Sequence, residues 1–399
     1  MSQLRNTSLH PTLEGSNGVG KTSLVLVNVF TAMQAKSTGH TQQALLPIDR
    51  VLQIRSDPDR LHREAILAIA QALITHRPQL QSFGYSTSNF GALEDWLNSP
   101  VVKSGGGGAQ FLGTGGNAEV TREVNTGDGF LDSGLETLVR RALEDTFPTD
   151  SAGALIGVID NVELLSRSNE ARRVLEELRD TTFDLPRVRW VLCGALGIIR
   201  SSVTSSRLDG RVAPPIEVPP VADDDIEALI QTRLEYFKVR DDATAPVGPT
   251  EFRHLYQICH NNLRDALKYA QAFSVWLDLQ DELGRPENYF ELLEVWLAEE
   301  AESITKAITL QPRAWKLFDD LAGAGGACAP SDNEKFGFNT PQQMRTNFAA
   351  LERVNLIKGE VDEDDLRRRT VNLSDKGWIV HYARSGFASA PAGAPEAGS

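Results

Sequence analysis

The sequence predicts an α/β fold: a parallel sheet covered by helices on both faces, followed by an all-helical part and a smaller module of helices and a hairpin. Three observations carry that expectation. Short apolar runs alternate with helical stretches up to about residue 220, which requires crossover connections and parallel strands. A glycine-rich string, Gly15-Ser-Asn-Gly-Val-Gly-Lys21-Thr22, stands near the start. No strand pattern recurs between Asp223 and Ile304.

In chain order, the strand feeding the glycine-rich string must come from Thr7–Leu13, which holds His10 and Pro11. Proline removes a ladder hydrogen bond, so this strand is expected to be short and poor. Leu45–Leu52, Ala154–Asp160, Val188–Cys193 and Ile216–Val218 read as buried strands. Ser23–Gln34, Arg60–Thr75, Leu131–Phe147 and Asn169–Thr181 read as helices. The segment of about 100–127 holds four consecutive glycines and is expected to be an insertion, either a flexible loop or a projecting hairpin built from Ala109–Leu112 and Glu119–Val124. Past Asp223, apolar residues at helical spacing, such as Ile226/Leu229/Ile230/Leu234 and Leu263/Leu267/Ala270, predict helices alone.

Composition narrows the function. The 399 residues carry 40 basic and 54 acidic side chains, a net charge of −14. That balance excludes a chain that coats nucleic acid indiscriminately, while leaving room for one local basic patch. Cys193, Cys259 and Cys328 are widely spaced, which argues against a disulfide framework or a structural zinc site. The opening residues lack the pattern of a secretory signal, and the longest apolar run, Trp190–Ile199, is far too short to cross a bilayer. A cytoplasmic protein without a membrane contact is expected.

Gly15 to Thr22 matches the spacing GxxxxGK[ST]. Glycines let the backbone of Gly15, Ser16, Asn17, Gly18, Val19 and Gly20 curl so that its N–H groups face a phosphate, and the helix that begins near Lys21, Thr22 and Ser23 adds the positive end of its dipole. Lys21 is placed to neutralise the β- and γ-phosphates of ATP, and the Thr22 hydroxyl to ligate Mg²⁺. Ala154-Leu-Ile-Gly-Val-Ile-Asp160 is an apolar strand ending in a carboxylate, the second Mg²⁺ group this chemistry needs. The residue after it is Asn161, which cannot take up a proton. Glu163 is the nearest substitute for a base, and hydrolysis is expected to be slow.

The strings VIDNVELL, VRWVLCGALGIIR, SSRLDGRVAPPIEVPPVADDDIEALIQTRL and NNLRDALKYA resemble the AAA+ ATPases. They are most similar to the origin-recognition initiator clade and to related bacterial ATPases with a C-terminal winged helix. The resemblance spans roughly Leu13 to Ala383. It implies a P-loop NTPase three-layer parallel sheet over residues 1–220, an all-helical lid domain over 221–305 and a winged-helix domain over 306–384, while the small residues and prolines of 385–399 read as a disordered tail. It also implies that Arg207 reaches the γ-phosphate of a neighbouring subunit in a homo-oligomer, with Arg200 and Arg211 as nearby alternatives and a surface salt bridge as the plain structural role. Arg264 corresponds to an arginine that closes the lid onto the phosphates, or is an ordinary solvated helix residue. The polar residue the clade carries after the strand Val188–Cys193 is replaced by Gly194-Ala195, and only fourteen residues precede the loop where the clade holds adenine.

In the last module, Thr340 caps a helix with Pro341 at its first position and Gln343 completing a capping box. Met344, Phe348, Leu351 and Val354 form the buried stripe, and Gln342, Arg345, Thr346 and Arg353 the opposite face. Leu356–Lys358 and Thr370–Leu373 pair as a hairpin whose wing ends in Arg367, Arg368 and Arg369. The pattern is that of a winged helix with helix and wing both able to meet duplex DNA. From Lys335 to Arg384, nine Lys/Arg stand against seven Asp/Glu, a net of +2. Asp362–Asp365 in the wing opposes phosphate, and docking of an effector protein is the other use of such a module. The two functional expectations are therefore an ATP-dependent switch acting on DNA or a partner, and a STAND-type signalling scaffold without DNA binding. A nucleotide-binding transcription factor that never hydrolyses ATP is a third.

Overall fold

The computed structural model describes residues 9–98, 134–162, 168–195, 198–203, 205–240, 243–280, 288–306, 308–361 and 369–386. The glycine-rich insertion with its two candidate strands, Glu163, Arg367, Arg368, the Arg369 side chain and residues 387–399 lie outside them. Contacts divide the chain into two units: Met1–Gly15 with Lys21–Glu217, and Val218–Ser399 with Ser16–Gly20.

The first unit is built on a parallel sheet. Its strands are β1 (Thr12–Glu14), β2 (Ala44–Pro47), β3 (Leu52–Gln53), β4 (Gly153–Asp160), β5 (Val188–Gly194) and β6 (Ile216–Glu217). They lie in the order β2-β4-β5-β1-β6, with β3 also against β4, and every pairing is parallel. Parallel neighbours need a crossover, and helices supply it: α1 (Lys21–Ser37), α2 (Pro58–Thr75), α3 (Arg77–Ser82), α4 (Phe90–Asn98), α5 (Leu135–Thr146), α6 (Ser168–Leu178) and α7 (Ile198–Val203). The apolar runs of β4 and β5 are buried along nearly their whole length, as strands covered on both faces must be.

Three sequence expectations change here. The run Leu45–Leu52 is two strands, because Asp49-Arg50-Val51 leaves the ladder. From Pro47 to Leu52 the chain advances five residues while β4 advances three, from Ile156 to Ile159, so two residues bulge out. The strand at Ile216 is an exposed two-residue edge instead of a buried one. Helices α3 and α7, six residues each, are too short to show a repeat, and α4 went unread although Phe90, Leu93 and Leu97 are spaced for one helix face.

Strand β1, which lies between β5 and the edge strand β6, is only three residues long, and His10 and Pro11 just before it explain how it works. Pro11 lacks an N–H but keeps its carbonyl, which accepts from Leu192 N at 2.9 Å. The Trp190 N–H finds the His10 ring instead of a strand carbonyl, with Nδ1 at 3.0 Å. Nε2 lies 3.0 Å from the Phe183 carbonyl, so these partners fix the neutral tautomer with its proton on Nε2. Burial disfavours the charged ring and pushes its pKa down to about 4 from the usual 6.5. The unfolded chain therefore binds one more proton than the folded one between those values. Stability is fully present above pH 6.5 and falls as pH drops towards 4. Unfolding free energy measured in urea should drop by about 2 kcal/mol more between pH 7 and 5 in the wild type than in His10→Gln, whose amide supplies an acceptor and a donor without titrating.

The second unit begins with four helices: α8 (Asp223–Phe237), α9 (Pro249–Ile258), α10 (Leu263–Asp278) and α11 (Tyr289–Lys306). Ile226, Phe252, Leu255, Phe273, Leu293 and Leu297 meet in their core, and no strand occurs among the described residues of this stretch. The remainder is α12 (Pro312–Gly323), β7 (Ala327–Cys328), α13 (Pro341–Arg353), β8 (Ile357–Val361), β9 (Arg369–Leu373) and α14 (Asp375–Arg384). β8 and β9 form the expected antiparallel hairpin, with Ile357 opposite Leu373. Between α12 and α13 lie a two-residue strand, β7, added to β9, and one 3₁₀ turn at Pro330–Asp332. Met344, Phe348 and Leu351 point into a core with Leu317, Phe318 and Leu321, while Val354 is only half-buried. The Thr340 hydroxyl accepts from Gln343 N at 3.3 Å, which is the Thr half of the capping box. α14 contributes to both cores, with Ile379 in the four-helix cluster and Val380 in the other.

Candidate functional site

β1 delivers the chain into the loop Gly15–Gly20, and α1 starts at Lys21. Gly18 and Gly20 sit at φ +88° and +96°, a left-handed backbone that a side chain would strain, so the glycines of the motif are needed where they stand. Lys21 is buried, and its Nζ donates to the Gly15 carbonyl at 2.8 Å, which folds the side chain back along the loop. The Thr22 hydroxyl donates to Asp160 Oδ2 at 2.9 Å. The other oxygen, Oδ1, accepts from the backbone N–H of Asn161 at 2.8 Å. The two motifs, 138 residues apart, therefore place an ammonium, a hydroxyl and a carboxylate at the same end of the sheet. Ser23 follows on α1 with its side chain exposed.

Asn161 turns out of β4 at φ +61°, and its Nδ2 donates to Gln53 Oε1 at 2.5 Å. Gln53 is a site residue that sequence reasoning missed. It closes β3 directly beside Asp160 in register, and the polar residue at the end of an apolar run was the available signal. At the end of β1, Glu14 is almost fully buried and forms a salt bridge to Arg200, with Nε 3.1 Å from Oε1. Gly194, at the end of β5, accepts from Gly15 N at 3.3 Å. A Cβ there would stand 3.2 Å from Val162 and 3.3 Å from Ile199, so packing accounts for the missing polar side chain.

The three candidate arginines all have carboxylate partners in this chain. Arg207 lies 3.4 Å from Glu176, Arg211 lies 2.8 Å from Asp184, and Arg200 holds Glu14. Within the second unit, Asn262 caps α10 by accepting from Asp265 N, and its Nδ2 donates to the Asn17 carbonyl at 3.0 Å. Arg264 is the second residue of α10 and is exposed, and its Cβ would be 3.0 Å from a Cβ on Gly18. Gln342, Arg345 and Thr346 occupy the exposed face of α13, opposite Met344 and Phe348. The backbone of Arg369 pairs with Val361 at the root of the wing. No helix among the described residues is long and apolar enough to cross a membrane.

No protein-family model matches the sequence, and no curated protein does. Among solved structures the chain is similar to the ORC1 protein of Aeropyrum pernix in complex with DNA, at 15% identity and a TM-score of 0.41, covering 94% of this chain and 86% of that one. It is also similar to the ADP form of the ORC2 protein of Aeropyrum pernix, at 13% identity and a TM-score of 0.42, covering 97% and 92%. A Walker-type ATPase of Pyrococcus abyssi matches at 15% identity and a TM-score of 0.42, covering 96% and 93%.

Proposed function

We propose that this chain is an ATP-binding AAA+ ATPase of the initiator type, a switch whose nucleotide state controls engagement of DNA or a partner protein. The observation that carries the reading is the meeting of Lys21, Thr22 and Asp160 behind a loop whose glycines hold left-handed backbone. These groups suit a nucleoside triphosphate with Mg²⁺: a hydroxyl and a carboxylate 2.9 Å apart are hard oxygen donors, and loop N–H groups with an ammonium complement phosphate. Thr22 and Asp160 would hold the metal, which supplies charge neutralisation between the phosphates. Residues 15–23 would cradle the phosphates, with Lys21 as the fixed cation.

The remaining roles follow from residue chemistry. Asn161 cannot accept a proton, and its amide is engaged with Gln53, so Glu163 is the base assigned to activate water. Arg207 serves a neighbouring subunit only after leaving Glu176, and Arg264 acts from the second residue of α10. Residues 1–220 form the ATPase core, 221–305 the lid and 306–384 the winged helix. In the last, Gln342, Arg345 and Thr346 are the residues assigned to base edges, and Arg367, Arg368 and Arg369 those assigned to phosphates.

The test is ATP turnover by the full chain with and without duplex DNA, in the wild type and in Glu163→Gln. Turnover should be slow, should change on adding DNA, and should fall at least tenfold in the variant with ATP affinity unchanged. Equal turnover in the variant removes Glu163 as the base. Indifference to DNA moves the winged helix to protein docking.

A further inference from the structure

We propose that two surfaces of the second unit are complementary halves of one interface between copies of this chain. The first is the end of α8 and the residues after it, Arg233-Leu-Glu-Tyr-Phe-Lys-Val-Arg240. Tyr236, Phe237 and Val239 are 82%, 62% and 90% exposed. Single exposed apolar residues are ordinary, but three within four positions make a patch that favours a partner. The patch is also self-packed: Tyr236 meets Phe237 edge-on at 5.0 Å, and the Arg233 guanidinium lies 5.3 Å from the Phe237 ring centre. Among the described residues neither Arg233 nor Lys238 is paired with a carboxylate. Glu235 is the one acid in this segment, against three bases.

The second surface is a groove of about 590 Å³ between α9, α11 and α14. Phe290, Val295 and Ala298 give it an apolar wall. Its base is fixed by a triad in which the Tyr382 hydroxyl donates to Glu294 at 2.9 Å and His254 Nε2 lies 2.5 Å from the same carboxylate. Glu294 is therefore committed. Glu299 and Glu302, one helical turn apart on the rim, are exposed and have no cation partner among the described residues.

Each surface supplies what the other lacks. Two aromatic rings and a valine meet an apolar wall, and two unpaired cations meet two unpaired carboxylates. Aromatic and arginine anchors surrounded by complementary charge are the usual core of a protein interface, and the charges set its selectivity. Because both halves sit on every copy, the occupant is a second copy of the chain. The inference uses no residue of the phosphate loop and is tested without nucleotide, so a chain that binds ATP normally yet stays monomeric overturns this proposal alone.

Sedimentation velocity of the full chain from 1 to 100 μM should show concentration-dependent association that weakens with salt. Glu299→Lys with Glu302→Lys should raise the dissociation constant at least tenfold, and so should Arg233→Glu with Lys238→Glu. All four positions are exposed, and unchanged melting would confirm that folding is intact. The deciding result is the equimolar mixture of the two charge-reversed proteins, in which association should return. A wild type that sediments as a monomer throughout, variants that associate like the wild type, or a mixture that stays apart would each overturn the proposal. Binding of an added basic-aromatic peptide to a monomeric wild type would give the groove to another protein and overturn it equally.

Discussion

Lys21→Ala is expected to weaken ATP binding by about 100-fold while leaving the protein folded. The Lys21 side chain is buried along the loop, with its Nζ on the Gly15 carbonyl, so the cation is held in place. Contacts between such a cation and phosphate are charge-assisted, and removing one preorganised donor costs about 3 kcal/mol, or roughly 100-fold in affinity. The free protein loses little, because burying an ammonium carries a desolvation penalty that the alanine does not have. The variant should therefore melt at or above the wild-type temperature while calorimetric titration shows the affinity loss. Equal affinity in the two proteins would mean that phosphate does not bind at this loop.

That site was legible because chemistry fixes its spacing. Gly18 and Gly20 need left-handed backbone, Lys21 must follow at the helix start, and a carboxylate must end an apolar strand of the same sheet; each leaves a mark in the residue order. What stayed hidden depends on partners distant in sequence. His10 looks misplaced at the entry to a buried strand until Trp190 is seen to need an acceptor there, 180 residues away. Gln53 is an unremarkable polar residue until β3 lies beside Asp160. The split of Leu45–Leu52 follows from the three-residue pace of β4, which no local pattern encodes. Likewise β7 pairs with β9 across some forty residues, and two residues are too few for an alternation to register.

Gly157→Ala is expected to destabilise the first unit by about 3 kcal/mol, and the cost should depend on Trp190. The two residues are register partners on β4 and β5, and a Cβ at Gly157 would run into the six-membered edge of the indole, with Ile48 Cδ1 a further 3.1 Å contact. Overpacking of this kind costs about 1–3 kcal/mol when side chains can shift, and more when they cannot. Here the ring is fully buried and held at both ends: its Nε1 donates to the Thr182 carbonyl at 3.2 Å, and its backbone N–H is tied to His10. It has little room to retreat, so the strain passes into β4. Asp160 lies three residues further along that strand, which couples core packing to the carboxylate that meets Thr22. In a Trp190→Leu background the obstacle is gone, and Gly157→Ala should cost less than about 1 kcal/mol. Urea unfolding of the four proteins gives the coupling energy directly, expected at about 2 kcal/mol. Equal costs in both backgrounds would show that Trp190 is not what reserves this position for glycine.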